Sequence, residues 1–342
     1  MVFWGMPALL QAQDIHFSQF NQSPMNLNPA LTGIFRGHAR FIGNYRSQWN
    51  RVPVEYLTFA GSADFKLANR NPNRKGFLAL GGAFNYDQAG LSRLYLVNGS
   101  LNGSYTLQVS RNAFLSAGFQ VGGSNRGFNM GDLLFNNQYN RGTSEGDPSL
   151  PHGIDFPSTR NSFLDLGTGL NFRLQDFSTC EIVNDLSKRS SLDVGIGLFH
   201  VNRPVQSFDD EPEARQFVRI SPYLIGNQQI DETFDVFLQT NFQFQGPHRE
   251  WLVGLGGRAY FDKTPGKQIA VAASLGYRFN QDFGDAFFPA LEIQMGPIAG
   301  TISYDVNISD FNVATGRRGG WELNLRYIIG RVCVDNYYCP LL

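Results

Sequence analysis

The sequence has few charged residues, almost no excess of either sign and no long apolar run. Lys, Arg, Asp and Glu make up 17% of the 342 residues, whereas about 25% is usual in soluble domains. The 28 basic and 29 acidic residues nearly cancel, so the basic excess that neutralises nucleic-acid phosphates is missing. No stretch approaches the roughly 18 to 20 apolar residues that a helix needs to cross a bilayer. These absences argue against nucleic acid as a partner and against a helical membrane protein.

Aromatic residues and glycine are abundant instead. Aromatics reach 14%, with 30 Phe, and 37 residues are Gly. Intrinsic disorder requires few aromatics and a large net charge, so the chain is expected to fold. At roughly 150 residues per domain the length allows two ordinary domains or one large closed sheet, and the composition favours the sheet.

The N-terminus resembles an export signal. Residues 2–10 are apolar and end near Ala12, directly before the polar pair Gln13 and Asp14. This is typical of the end of a secretory signal peptide, although the basic region that usually precedes it is missing. We expect residues 1–12 to be a signal-peptide remnant and the mature chain to lie in an oxidising compartment. A short apolar strand or helix end is the alternative.

From about Gly37 onward, apolar and polar residues alternate with a period of two, which predicts strands with two different faces. The pattern is clear in 164–175, 234–245, 267–280 and 321–329. A soluble sheet would bury the apolar face and expose a face rich in Lys and Glu. Here the polar face is mostly Gly, Ser, Asn and Gln with scattered Arg and Asp, which favours an inverted barrel with lipid outside and a polar lumen.

Aromatic residues near predicted strand ends fit this arrangement, because they settle at membrane interfaces. The candidates are Trp251, Tyr260, Phe261, Tyr277 and Phe279. We therefore predict an all-β protein, a transmembrane antiparallel up-and-down β-barrel in the bacterial outer membrane. A soluble all-β protein is the alternative.

About fourteen strands are predicted, an even number, as in single-chain bacterial barrels. Their expected starts are Ala39, Val54, Phe77, Leu91, Ala113, Phe163, Leu192, Phe217, Thr233, Arg249, Lys267, Phe287, Ile298 and Trp321. An even count puts both termini in the periplasm, with short periplasmic turns and longer extracellular loops. We divide the chain into residues 13–36, a periplasmic or lumen-plugging segment, 37–330, the barrel, and 331–342, a periplasmic tail.

Charged residues on the polar face are expected to point into the lumen. They are Arg40, Arg46, Arg173, Arg258, Arg278, Arg326, Asp165, Asp193, Glu292 and Glu322. Because unpaired charges in a narrow lumen are costly, we expect pairs of Arg and carboxylate that brace the wall. An ion-selective pore is the alternative, and the mixed signs favour a braced or plugged interior.

Signals for catalysis, cofactors or metals are weak. The run Gly142–Gly146 matches G-x-S-x-G by letters but lies in a predicted loop rather than a strand-to-helix elbow. The five histidines lack metal-ligand spacing. We expect no catalytic, cofactor or metal site. Three cysteines allow one disulfide, most simply Cys333 with Cys339, and leave Cys180 over.

Two segments carry a family resemblance. QFNQSPMNLNPALTG (Gln19 to Gly33), followed by YRSQW (Tyr45 to Trp49), resembles the opening of the PorP/SprF family of type IX secretion outer-membrane proteins, and GGWELNLRYIIG (Gly319 to Gly330) resembles its last strand. The signature residues are Asn21, Pro24, Asn26, Asn28, Pro29, Gly33, Tyr45, Arg46 and Trp49. They are candidates for partner binding, or they seal the barrel floor.

The resemblance implies a non-enzymatic role in type IX secretion and gliding motility. The expected partners are a secreted surface protein, bound and anchored through its type IX C-terminal targeting domain, and periplasmic secretion or motor components, with outer-membrane lipid around the barrel. An outer-membrane transport channel for small solutes or lipids is the alternative function.

Overall fold

The structure, a computed structural model, describes residues 14–48, 56–67, 76–90, 92–133, 135–140, 145–147, 149–151, 153, 158–176, 188–208, 215–264, 267–280, 283–308 and 318–330. The predicted signal remnant 1–12, the tail 331–342 with Cys333 and Cys339, and Trp49 lie outside the described residues. Within those residues, helices that are both long and apolar enough for a bilayer are absent.

Fourteen strands pair into a closed antiparallel barrel. They are β1 (Ala39–Gln48), β2 (Tyr56–Lys66), β3 (Gly76–Ala89), β4 (Leu94–Ser110), β5 (Ala113–Gly127), β8 (Arg160–Gln175), β9 (Ser191–Phe199), β10 (Arg219–Gln229), β11 (Phe234–Gln245), β12 (His248–Asp262), β13 (Ile269–Asn280), β14 (Phe283–Met295), β15 (Ile298–Asn307) and β16 (Arg318–Ile329). Each strand pairs with the next one in the barrel, and β1 closes the sheet against β16, from Ala39 opposite Ile329 to Gln48 opposite Gly320.

The predicted fold class is confirmed, and every predicted start lies within four residues of an observed one. The loop between β5 and β8 adds a small hairpin that the alternation did not predict, formed by β6 (Tyr139–Asn140) and β7 (Glu145–Gly146). Two short 3-10 turns, Met130–Asp132 and Asn136–Gln138, lie in the same loop.

The two openings of the barrel differ in their connections. At one opening β1 begins, β16 ends, and the connections 111–112, 230–233 and 296–297 are tight, while 176–190 is the long exception. We name it the short-turn mouth. The opposite opening carries the long connections 128–159, 200–218 and 308–317, and we name it the long-loop mouth.

The outer surface is apolar, as the alternation predicts. Leu101, Leu164 and Phe119 are 75%, 56% and 50% exposed, whereas polar side chains next to them in sequence, such as Asn102, face inward and are buried. Side chains of opposite character on the two faces are the mark of a lipid-embedded barrel.

An aromatic cluster on three neighbouring strands marks the outer surface near the long-loop mouth. The ring centroids of Phe242 and Trp251 are 4.9 Å apart, and those of Trp251 and Phe279 are 4.7 Å apart. Tyr260 is not part of such a girdle, contrary to the prediction. Adjacent residues alternate, so Phe261 points outward, 73% exposed, and Tyr260 faces the lumen, where the Arg189 guanidinium lies 4.5 Å from its ring.

Residues 14–38 run through the lumen, and we call them the plug. They contain one short helix, α1 (Pro24–Leu27), between the 3-10 turns Phe20–Gln22 and Pro29–Leu31. Asp14 N–H donates to Gln245 Oε1, 3.3 Å away at the end of β11, whereas His38 N–H donates to the Ile329 carbonyl at 2.8 Å. The plug therefore crosses the barrel from the long-loop mouth to the short-turn mouth.

This path separates the two ends of the described chain. The prediction that both termini share one side rests on the even number of strands. An even number places only the two ends of the sheet, Ala39 and Ile329, at the same mouth. Asp14 lies at the opposite mouth, because the segment before β1 crosses the lumen. The described chain therefore begins and ends at opposite mouths, and the side on which the termini themselves lie stays a prediction.

The lumen also has an apolar core. Side chains of the plug pack against inward side chains of the wall, forming the buried cluster Phe20, Leu27, Leu31, Ile34, Tyr223, Leu252 and Phe288. The expectation of a polar inner wall was therefore incomplete. Burying this apolar area gives the plug a hydrophobic contribution in addition to its polar contacts.

Candidate functional site: the lumen and its plug

Proline and asparagine shape the plug locally. Pro24 is the first residue of α1 and Pro29 the first of the following 3-10 turn, positions where the missing N–H costs no helical hydrogen bond. Asn28 caps that turn, because its Oδ1 accepts from Ala30 N–H at 2.8 Å. Gly33 then takes a φ of +77°, in the left-handed region that favours glycine.

The same asparagines fix the plug to the wall. Asn28, fully buried, donates from Nδ2 to the Leu170 carbonyl at 2.9 Å and to the Tyr223 hydroxyl at 3.0 Å. Asn26 and Asn85 exchange two side-chain hydrogen bonds, at 2.8 and 3.0 Å. The Asn-rich composition of this segment therefore serves both local capping and attachment to the barrel.

Glycines in the wall make room for the plug backbone. A Cβ built on Gly118 would lie 2.3 Å from Ala30 N, one on Gly169 1.9 Å from Asn28 Oδ1, and one on Gly197 2.3 Å from the Leu27 carbonyl oxygen. A side chain would clash with the plug backbone at Gly118 and Gly197, and with the Asn28 side chain at Gly169. β5, β8 and β9 thus form a smooth concave surface against α1 and the turn after it.

A buried ionic cluster around Asp305 holds the first part of the plug. Arg46 Nη2 and Arg278 Nη2 lie 2.8 and 2.9 Å from Asp305 Oδ2, and Ser18 Oγ donates to Asp305 Oδ1 at 2.9 Å. Arg278 also reaches Asp285 at 2.6 Å. The cluster joins the plug to four strands of the wall, β1, β13, β14 and β15.

Glu322 binds the plug backbone directly. Its two carboxylate oxygens accept from the N–H groups of Ser18 and Gln19, both at 2.8 Å. Hydrogen bonds to charged groups are stronger than neutral ones, and Glu322 is only 2% exposed. This contact depends on main-chain atoms, so side-chain identity in the plug could not have predicted it.

A second backbone clamp lies near the short-turn mouth. Arg40 pairs with Asp64 at 2.7 Å and donates to the carbonyls of Leu31 and Ile34 at 3.2 and 3.4 Å. Asp64 in turn accepts from Gly33 N–H at 2.7 Å. The pair fixes the turn at which the plug approaches β1.

Glu292 is shared by two arginines. Arg258 Nη2 and Arg326 Nη2 lie 2.8 and 3.4 Å from its Oε1, and Gln22 Nε2 of the plug donates to its Oε2 at 2.8 Å. Arg173 pairs separately with Asp193 at 3.1 Å. Two further ion pairs lie in the short-turn half of the lumen, Asp64 with Arg40 and Asp235 with Arg189. The sequence analysis did not predict either pair.

At the long-loop mouth, His200 joins the plug to the wall. Its Nε2 lies 2.8 Å from Asp14 Oδ2 and its Nδ1 lies 2.8 Å from Asp165 Oδ1, and Arg219 Nη1 lies 2.9 Å from Asp14 Oδ2. Burial alone would lower the pKa of His200, but the charge of Asp14 and the two hydrogen bonds raise it to about 9. Burial would likewise raise the pKa of Asp14, but Arg219 and His200 hold it well below its usual range.

The charged residues predicted for the lumen all lie there, and the signature residues are divided. Asn21, Pro24, Asn26, Asn28, Pro29 and Gly33 belong to the plug, and Arg46 binds the His16 carbonyl of the plug at 2.8 Å. Tyr45 differs, because it lies on the outer surface and is 41% exposed, where it cannot reach the plug.

The residues that the sequence analysis missed include Asp14, Asp64, Arg189, His200, Arg219, Asp235 and Asp305. Asp64, Asp235 and Asp305 occupy inward positions on strands whose residues alternate between the lumen and the outside. Counting every second residue along each strand could therefore have found them. The partners from the plug had no comparable signal. Among the described residues, groups of His, Cys, Asp and Glu suited to a metal ion are absent.

The family model described as "Type IX secretion system membrane protein PorP/SprF" matches residues 9–327. No curated protein matches the chain.

Among solved structures, the chain is similar to the CymD monoaromatic hydrocarbon channel, with 11% identity, a TM-score of 0.48 and coverage of 91% of this chain and 93% of that one. A FadL homologue of Pseudomonas aeruginosa is 11% identical, with a TM-score of 0.48 and coverage of 88% and 92%. An outer-membrane channel of Pseudomonas putida F1 is 12% identical, with a TM-score of 0.42 and coverage of 85% and 94%.

Proposed function

The chain belongs to the PorP/SprF family of type IX secretion system membrane proteins, and from this premise we propose that it is a non-enzymatic outer-membrane barrel that anchors a secreted surface protein. The partner carries a type IX C-terminal targeting domain. Periplasmic components of the secretion or motor apparatus contact the other side of the barrel, and outer-membrane lipid surrounds it.

The observation that carries this proposal is the plug. Buried Glu322, Asp305, Arg40 and Arg219 hold it by direct hydrogen bonds or ion pairs, and an apolar cluster packs around it. A lumen filled in this way by its own chain supports binding at the two mouths rather than passage of solutes between them.

Loop lengths support an orientation. In outer-membrane barrels, turns on the periplasmic side are short and loops on the outside are long. We therefore assign the short-turn mouth to the periplasm and the long-loop mouth to the cell surface. Under this assignment β16 ends in the periplasm, and the Asp14 end of the plug meets the outer mouth, where the secreted protein binds.

Native co-purification tests the proposal. A tagged copy expressed in its own host should bring down one large secreted protein in stoichiometric amount. Replacing residues 130–158 by a short Gly-Ser linker should abolish this, whereas the same replacement at residues 263–266, on the opposite mouth, should not. Steady ion conductance of the unmodified protein in planar bilayers, without a bound partner, would instead favour a transport channel.

A further inference from the structure

A cavity of about 350 Å³ lies between the plug and the wall on the short-turn side of the lumen, and we call it the vestibule. Gln19, Asn21 and Gln22 of the plug line it from inside, and Arg326 and Tyr260 line it from the wall. The volume is at the lower end of the range for small-ligand sites, roughly 300 to 1,000 Å³.

The vestibule is basic. Among the described residues, six arginines line it, against the single carboxylate of Glu292: Arg36, Arg40, Arg173, Arg189, Arg258 and Arg326. Three of them pair with carboxylates behind the lining, those of Asp64, Asp193 and Asp235. Arg258 and Arg326 share Glu292, so the positive charge at that point exceeds the negative.

Arg36 also lies in this positive environment. Burial, and next the charge of Arg173, lower its pKa to about 10, while Tyr260 and Asp176 act in the opposite direction. An anion in the vestibule would reduce the repulsion between these guanidiniums.

Two plug residues that line the vestibule, Gln19 and Asn21, each carry a buried side-chain atom that has no partner among the described residues. Gln19 is 4% exposed, and its Nε2 has no acceptor. Asn21 Oδ1 is buried and has no donor. Buried polar groups are nearly always hydrogen-bonded, so each atom indicates a missing partner. The first requires an acceptor and the second a donor.

We propose that the vestibule binds an acidic segment of a polypeptide partner. Its carboxylates would lie between Arg258 and Arg326, and the side chains of Gln19 and Asn21 would turn toward it, Gln19 to donate to a carboxylate and Asn21 to accept from a backbone N–H. A peptide supplies acceptors and donors together, and the rings of Phe35 and Tyr260 cover its apolar atoms. The binding site itself does not depend on the proposed orientation. Only the assignment of the partner to the periplasm rests on that part of the proposed function.

The test is calorimetric titration of the full-length barrel, purified in detergent, with triglutamate, triglutamine and inorganic phosphate. Triglutamate should bind and triglutamine should not. Arg326→Gln should weaken binding at least about tenfold, since a charge-assisted hydrogen bond is lost. Asn21→Asp, which keeps the size of the side chain and adds a negative charge, should weaken it comparably. Arg126→Gln, at the long-loop mouth, is the matched control and should leave binding unchanged.

Folding of each variant is checked by heat-dependent mobility on gels. Binding of phosphate but not triglutamate would overturn the peptide assignment and leave a small-anion site. Absence of all binding, or equal affinity in the native protein, Arg326→Gln and Asn21→Asp, would overturn the site itself. Because the titration uses the purified barrel alone, these results are independent of whether the secreted protein co-purifies.

Discussion

Gly118→Ala should loosen the plug without disturbing the barrel sheet. The new methyl group would lie 2.3 Å from both Ala30 N and the Pro29 carbonyl carbon, so either the plug backbone or β5 must move. Gly123 is on the same strand, faces outward, and has no atom within 4 Å of an added Cβ. Gly123→Ala is therefore the matched control.

The magnitude follows from the cost of overpacking. Forcing a methyl group into a closely packed contact costs about 1 to 3 kcal/mol, whereas replacing a strand glycine with alanine by itself gains about 0.5 to 1 kcal/mol. Both variants share the second effect, so their difference isolates the clash. If the free energy that holds the plug in the lumen falls by about 1 to 3 kcal/mol, the fraction of molecules with an undocked plug rises about 5- to 150-fold.

Thiol labelling measures that fraction. The three native cysteines are replaced by serine, and Thr32→Cys places a thiol in the plug at a site with no exposure. Labelling by a small maleimide should be about 5- to 150-fold faster with Gly118→Ala, and within about twofold of the parent with Gly123→Ala. Equal rates in the two glycine variants would refute the packing of α1 against β5.

Two further perturbations test the ionic contacts of the plug. Asp305→Asn leaves two buried guanidiniums short of a partner, so thermal unfolding should show a free energy of unfolding lower by about 3 to 5 kcal/mol. The control Glu232→Gln, in an exposed ion pair, should lower it by at most about 1 kcal/mol. Equal losses in the two variants would contradict the buried cluster. The pKa of His200 is about 9 against an ordinary 6.5, so its charge stabilises the docked plug fully below pH 6.5, and this contribution is lost as the pH rises toward 9. The rate of maleimide labelling of Ile15→Cys, corrected for the pH dependence of a free thiol, should therefore rise across this pH window when His200 is present. With His200→Gln the corrected rate should not change with pH. The same pH dependence in both proteins would disprove the role of His200.

The barrel could be predicted from the sequence because its physics is local and periodic. Alternation along segments such as 267–280 fixes which side chains face lipid, and each strand repeats the same signal. The misassigned Tyr260 shows the limit: Tyr260 and Phe261 are both aromatic, so only strict parity decides which one faces outward.

The plug could not be predicted in detail because nothing in it is periodic. Its Pro and Asn residues indicate turns, but Glu322 holds it through main-chain N–H groups, which every residue possesses. Leu252, which packs against the plug, lies between two outward apolar residues, so its inward direction was hidden in an apolar run. These contacts depend on residues about 200 to 300 positions apart, which only the closed fold brings together.

A disulfide trap tests most directly whether residues 14–38 fill the lumen. In the cysteine-free background, Asn28→Cys is combined with Gly169→Cys, whose Cβ would lie 2.8 Å from the Asn28 Cγ position, or with the outward Gly123→Cys. Mild oxidation should link the first pair nearly completely and leave the second unlinked, as read from gel mobility before and after reduction. Failure of the first pair to link in the folded barrel, or equal linking of both, would contradict the plugged lumen.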